Sequence, residues 1–192
     1  ILAGDLTGKL VVPIVKQADG SYATKLLGKA MTATNDAELD SVKERVMNFG
    51  YYPHLCSKDE VEELKKDQKK VEVLFTRVME GNIRRWVRMA EEKIADDVEI
   101  IIMPGNDDIF AIDGPIKESK RVVYPLGKAL SFCDDYQILS LDYSNPTPWD
   151  SPRECSEEEL WNKLEHLASL VTVSWDKVIC NFHVPPYGTR ID

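Results

Sequence analysis

Three short apolar runs each end abruptly in a polar turn, which restricts the chain to folds that collect strand ends at one place. Residues 98–103 close at Pro104-Gly105-Asn106-Asp107-Asp108, Ile1-Leu2-Ala3 stops at Gly4-Asp5, and residues 178–182 stop at His183. A brief β-branched run closed by Pro-Gly reads as a buried strand, and open α/β sheets place ligands at the carboxyl ends of their strands. With the three strands in neighbouring layers or sheets, Asp5, Asn106 and His183 converge. Their oxygens and imidazole form a ligand set suited to a divalent metal.

The rest of the chain supplies helices and strands in alternation. Runs 10–17 and 21–29 flank Ala18-Asp19-Gly20, and Asp-Gly between β-rich segments predicts a hairpin. Asn35 offers an N-cap to a helix in which Leu39, Val42, Val46 and Met47 keep helical spacing as far as a Gly50 C-cap. Residues 53–56, including His54, read as a connector. Ser57 with Glu60 is a capping box opening the longest regular pattern, which includes Val61, Leu64, Phe75, Trp86 and Met89. Residues 58–95 are expected as one long helix, or two joined near Gly81-Asn82. Beyond them come a turn region over 109–116, short strands at 121–123 and 137–141, and a stiff loop with three prolines between 144 and 153. A second capping box, Ser156 with Glu159, opens a helix to about residue 171, and 177–182 is the last strand. Alternating helices and strands define the α/β class.

Composition narrows the partners. A chain of 192 residues with 43% hydrophobic and 30% charged positions is a soluble globular domain. No apolar run approaches the roughly 18–20 residues that span a bilayer, so no membrane partner is expected. Thirty-three acidic against 24 basic residues give −9, a surface that repels nucleic acid, so any phosphate chemistry must draw on local positive charge such as metal ions. Cys56, Cys133, Cys155 and Cys180 show no Cys-x-x-Cys spacing, and reduced thiols in a cytoplasmic protein are expected.

Taken singly, the motifs have ordinary readings. Gly4-Asp5-Leu6-Thr7-Gly8-Lys9 is not a P-loop, because only three residues lie between the glycines where four are needed and Leu10 follows the lysine. Gly-Asp and Gly-Asn are common turns. His183 reads equally as a ligand or as a hydrogen-bonded structural histidine, and His166 as a structural residue within a helix. Around the site, Trp149 and Tyr187 are candidates to contact substrate and Arg153 to pair with a phosphate. The alternatives are Trp149 packed under its loop and Arg153 paired with Glu154 or Glu157.

Gly-Asp, then Gly-Asn, then His, each ending an apolar strand, resembles the calcineurin-like metallophosphoesterase superfamily. The resemblance is carried by Gly4-Asp5-Leu6-Thr7-Gly8, Gly105-Asn106-Asp107-Asp108 and Asn181-Phe182-His183. It implies a four-layer sandwich, two central mixed β-sheets flanked by helices, with the hairpin and long helical segment of residues 10–95 inserted. It implies two divalent ions (Mn, Fe, Zn, Co or Ni), with Asp5 bridging and Asn106 and His183 on the second, and a bridging hydroxide attacking phosphorus. The family's opening Asp-x-His and closing Gly-His-x-His are not in residues 1–192. The chain therefore reads as a single domain cut at both ends, holding about half a site.

Asp107 stands where the family commonly has a histidine that protonates the leaving group. An ordinary Asp titrates near 3.9 and is a poor acid at neutral pH, which shifts the expectation toward phosphodiester or nucleotide-like substrates. Asp5, Asn106 and Asp107 are the expected catalytic residues. A reading from another class is a catalytically silent module that binds a partner through the long helical segment. Homo-oligomerisation is left open.

Overall fold

The computed structural model describes residues 1–133 and 135–190. Among them the chain is a mixed α/β fold with three β-sheets and five α-helices. It divides into two compact units, one of Thr7–Met79 and one of Ile1–Leu6 with the chain from Glu80 onward. No helix among the described residues is long and apolar enough to cross a membrane.

The Thr7–Met79 unit is built on four strands, β2 (Val11–Lys16), β3 (Tyr22–Leu26), β4 (Lys29–Ala33) and β5 (Tyr52–Cys56), in the order β4-β3-β2-β5. The hairpin expected at Asp19-Gly20 joins β2 to β3. The run 21–29 is not one strand. Leu27 (φ 47°) and Gly28 (φ 83°) turn the chain back into β4, and Leu in that region is unusual enough that the sequence gives little sign of it. Residues 53–56 are likewise no connector: β5 pairs parallel with β2, and Pro53 is tolerated because β5 lies at the sheet edge.

Helix α1 (Asp36–Asn48) starts where expected. Asn35 accepts the Glu38 N–H, and Leu39, Val42 and Val46 pack on Val12, Ile14, Leu26 and Ala33 of the sheet. The long pattern forms two helices, α2 (Lys58–Lys66) and α3 (Gln68–Lys93), but the break falls at Asp67 rather than Gly81. The Asp67 carboxylate accepts the Lys69 and Lys70 N–H groups, which starts α3 locally. Gly81 lies inside the helix in open space, where its flexibility costs little. Only half of the Ser57 capping box forms, since Glu60 turns its carboxylate to His54 Nε2 at 2.8 Å.

The other unit holds two sheets. β1 (Leu2–Ala3), β6 (Ile100–Met103) and β7 (Val122–Val123) run parallel in the order β1-β6-β7. All four residues of β6 are buried, as a central parallel strand requires. The second sheet has the order β10-β9-β8, with β8 (Ala129–Phe132) antiparallel and β10 (Val178–Phe182) parallel to β9 (Tyr136–Leu141). Helix α5 (Glu157–Ser169), opened by the full Ser156–Glu159 capping box, packs Leu160, Leu164 and Leu167 against Leu139, Leu141 and Phe182. The expected turn region at 109–116 contains a 3-10 turn (Phe110–Ile112) and the short helix α4 (Asp113–Lys117). Asn181 bridges the sheets, its amide donating to Ser140 Oγ at 3.0 Å and to Met103 Sδ at 3.2 Å.

Candidate functional site

Parallel registry delivers the three expected turns to one place. Leu2 pairs with Ile102 and Ala3 with Met103, so Gly4-Asp5 and Pro104-Gly105 leave β1 and β6 side by side. Phe182 pairs with Leu141, and the His183 N–H continues the ladder to Leu141 O at 2.9 Å before its side chain turns toward β1. His183 Nδ1 lies 3.0 Å from Ala3 O, and Nε2 lies 3.3 Å from Asp5 Oδ1.

Missing side chains make this approach feasible. A Cβ at Gly105 would stand 2.5 Å from Asp5 N, 2.6 Å from Asp5 Oδ1 and 2.7 Å from His183 Cε1, well inside contact distance. A Cβ at Gly4 would fall on the His183 ring, and the backbone there (φ 103°) suits glycine alone. Asp5 is itself left-handed (φ 51°), a conformation that Asp tolerates better than most residues.

The tautomer follows from the partners. A carbonyl can only accept, so the contact with Ala3 O puts the proton on Nδ1, and in the neutral ring Nε2 then presents its lone pair toward Asp5. A proton on Nε2 or a cation held between the two groups would equally satisfy this pair. Asn106, in the turn after β6, carries a neutral amide oxygen. The donor types therefore fit Mn, Fe, Zn, Co or Ni. Asp5 and His183 make a pair, and among the described residues no group of three or more His, Cys, Asp or Glu gathers as a metal site.

Sequence reasoning overlooked Asp108, which is fully buried in the middle of this arrangement. One of its carboxylate oxygens accepts the Leu6 N–H at 2.9 Å and the Gly105 N–H at 2.8 Å, tying the Asp5 turn to the Asn106 turn. The Gly105 bond is a local turn that the Gly-Asn-Asp-Asp string could have revealed. Half-buried Asp107 is its neighbour in the same turn.

Arg153 requires a correction. Its side chain is 2% exposed and engaged internally, so it is not placed to meet a phosphate, nor does it pair with Glu154 or Glu157. The guanidinium donates to Asp142 Oδ2 at 2.7 Å and Asp113 Oδ1 at 2.6 Å. It stacks 4.5 Å over the Phe110 ring. Burial works against its charge, but the two carboxylates hold it protonated; burial likewise raises Asp142 against the pull of Arg153. Tyr124 donates to Asp113, and burial first, then that bond, pushes its phenol well up.

Glu154 organises the proline-rich loop. Its carboxylate accepts from the Thr147 hydroxyl at 2.5 Å, the Thr147 N–H at 2.9 Å and the Ser151 N–H at 2.9 Å. From this loop Trp149 projects 81% exposed, so it is not packed beneath the loop. Tyr187 is 97% exposed. His166 lies on the exposed side of α5, and His54 lies within β5. All four cysteines are free thiols.

No family model matches the chain, and no solved structure matches it. Over 104 residues, 52% of the chain, it is 28% identical to an uncharacterized protein of Methanocaldococcus jannaschii. The matched stretch spans 43% of that relative's length.

Proposed function

We propose that the chain is part of a metal-dependent phosphoester hydrolase of the calcineurin-like metallophosphoesterase type, in which the two sheets of the Asp5 unit form the centre of a four-layer sandwich. The observation that carries this reading is the approach of His183 Nε2 to Asp5 Oδ1, 3.3 Å, made possible by two glycines. Asp5 and His183 would hold a divalent ion with Asn106, and Asp5 would be shared with a second ion. When bound, such a pair supplies Lewis acidity and activates water for in-line attack at phosphorus. The chain's own residues fix the donors: Ala3 O orients the imidazole, and Asp108 holds the two turns together.

Asp107 in place of a proton donor favours substrates whose leaving group needs little protonation, so a phosphodiester or nucleotide-like ester is preferred. Trp149, exposed on the proline-rich loop, offers a planar face on which a base could stack. Hydrolysis of bis-p-nitrophenyl phosphate by the full-length protein with Mn²⁺ is the direct test. Turnover that Asp5→Asn abolishes would support the reading, and no turnover with any of the five metals would refute it.

The partner-binding alternative draws little support from the long helical segment. Leu74, Met79, Ile83 and Val87 of α3 are buried and Phe75 and Trp86 half-buried, which leaves Val73 and Met89 as the exposed apolar residues of the helix.

A further inference from the structure

We propose that Arg153 is a positioning residue for the metal-ligand turn, acting through the backbone of residues 106–109 rather than on substrate; the inference rests on the metal-site reading above. Three bonds from this one residue reach that turn. The Arg153 N–H donates to Asn106 O at 2.9 Å, Nε–H to Asp108 O at 2.8 Å, and an Nη2–H to Ile109 O at 3.3 Å. The guanidinium's remaining bonds anchor it to Asp142, just past β9, and to Asp113 in α4. Its own backbone is fixed as well, since Ser144 N–H donates to Arg153 O at 3.1 Å.

Arg153 therefore joins the turn to the β9 sheet, which also carries His183 at the end of β10. Asp108 transmits the restraint, because its carbonyl receives Arg153 Nε while its carboxylate receives Leu6 and Gly105. The Asp5 and Asn106 turns are thus referenced to a single buried residue, which is anchored to the sheet that carries His183. A planar fork of five fixed donors serves two carbonyls and two carboxylates at once here, whereas Lys has one compact head.

The test compares Arg153→Met and Arg153→Lys with Leu167→Ala, a core change under α5 that lowers stability without touching the turn. Mn²⁺ affinity of the full-length protein is measured by calorimetric titration, and amide hydrogen exchange at Leu6 and Gly105 is measured without metal. Arg153→Met is expected to weaken Mn²⁺ binding about 10- to 100-fold, as loss of an outer-sphere support does, with Arg153→Lys intermediate and Leu167→Ala near wild type. Exchange at Leu6 and Gly105 should quicken at least tenfold in Arg153→Met beyond the change in Leu167→Ala. Wild-type affinity with unchanged exchange in Arg153→Met would overturn the proposal, as would equal effects in Leu167→Ala. If wild type binds no Mn²⁺, the metal reading fails, and the exchange data still decide whether Arg153 sets the turn.

Discussion

The Asp108 carboxylate accepts the Leu6 N–H at 2.9 Å across 102 residues of sequence, and the same oxygen takes the Gly105 N–H at 2.8 Å. Both amides are buried with this acceptor. An unsatisfied buried donor costs about 1–3 kcal/mol, so Asp108→Ala should lower the unfolding free energy in urea by about 3 kcal/mol. Asp108→Asn keeps an acceptor oxygen and should lose roughly half as much. An alanine variant within about 0.5 kcal/mol of wild type would show that Asp108 does not tie the turns.

Gly105→Ala separates site geometry from stability. The new Cβ would meet Asp5 N at 2.5 Å and His183 Cε1 at 2.7 Å, and backbone cannot yield as a flexible side chain can. Under the proposed function, the variant should lose Mn²⁺ binding and hydrolysis together while retaining its far-ultraviolet circular dichroism. Retention of wild-type hydrolysis would mean that the approach of Asp5 to His183 is not used.

What the sequence disclosed and what it withheld divide along physical lines. Strand ends at Ala3, Met103 and Phe182 were legible because β-branched runs stop at Gly, Pro or His, and the α5 cap was legible because Ser156 and Glu159 act within four residues. The β4 and β5 strands were hidden by residues that local propensity disfavours, Leu27 in a left-handed turn and Pro53 on an edge. The helix break at Asp67 was missed because Gly81 is the more conspicuous signal, yet a capping carboxylate governs where α3 begins. The tie from Asp108 to Leu6 and the bonds from Arg153 to Asp108 and Asp113 could not be assigned because these partners lie 40 or more residues apart in sequence. A buried arginine stabilised by Asp113 and Asp142 looks, in one dimension, like any surface arginine.

Acid should weaken the proline-rich loop as Glu154 protonates. The Thr147 hydroxyl and N–H, with the Ser151 N–H, hold the Glu154 carboxyl down to about 2 from an ordinary 4.5. A depressed folded-state value stabilises fully above the unfolded value and is lost as pH falls from about 4.5 through about 2. The stability difference between wild type and Glu154→Gln should therefore be constant above about pH 5 and shrink below it. A difference that grows on acidification would contradict the assignment.

Trp149→Ala tests the substrate class. The ring is 81% exposed, so its removal should leave stability within about 0.5 kcal/mol of wild type. Stacking on a base is worth about 1–3 kcal/mol, so KM for a nucleotide-like diester should rise roughly tenfold while KM for a small alkyl ester stays unchanged. Equal KM changes for both substrates would remove Trp149 from the recognition surface.

Metal content of the full-length protein, measured by plasma mass spectrometry for wild type and Asp5→Asn, addresses the central claim most directly. The account predicts about two transition-metal ions per chain in wild type and a marked loss in Asp5→Asn, because a bridging carboxylate serves both ions. A wild-type protein that retains none of Mn, Fe, Zn, Co or Ni after exposure to each would contradict it.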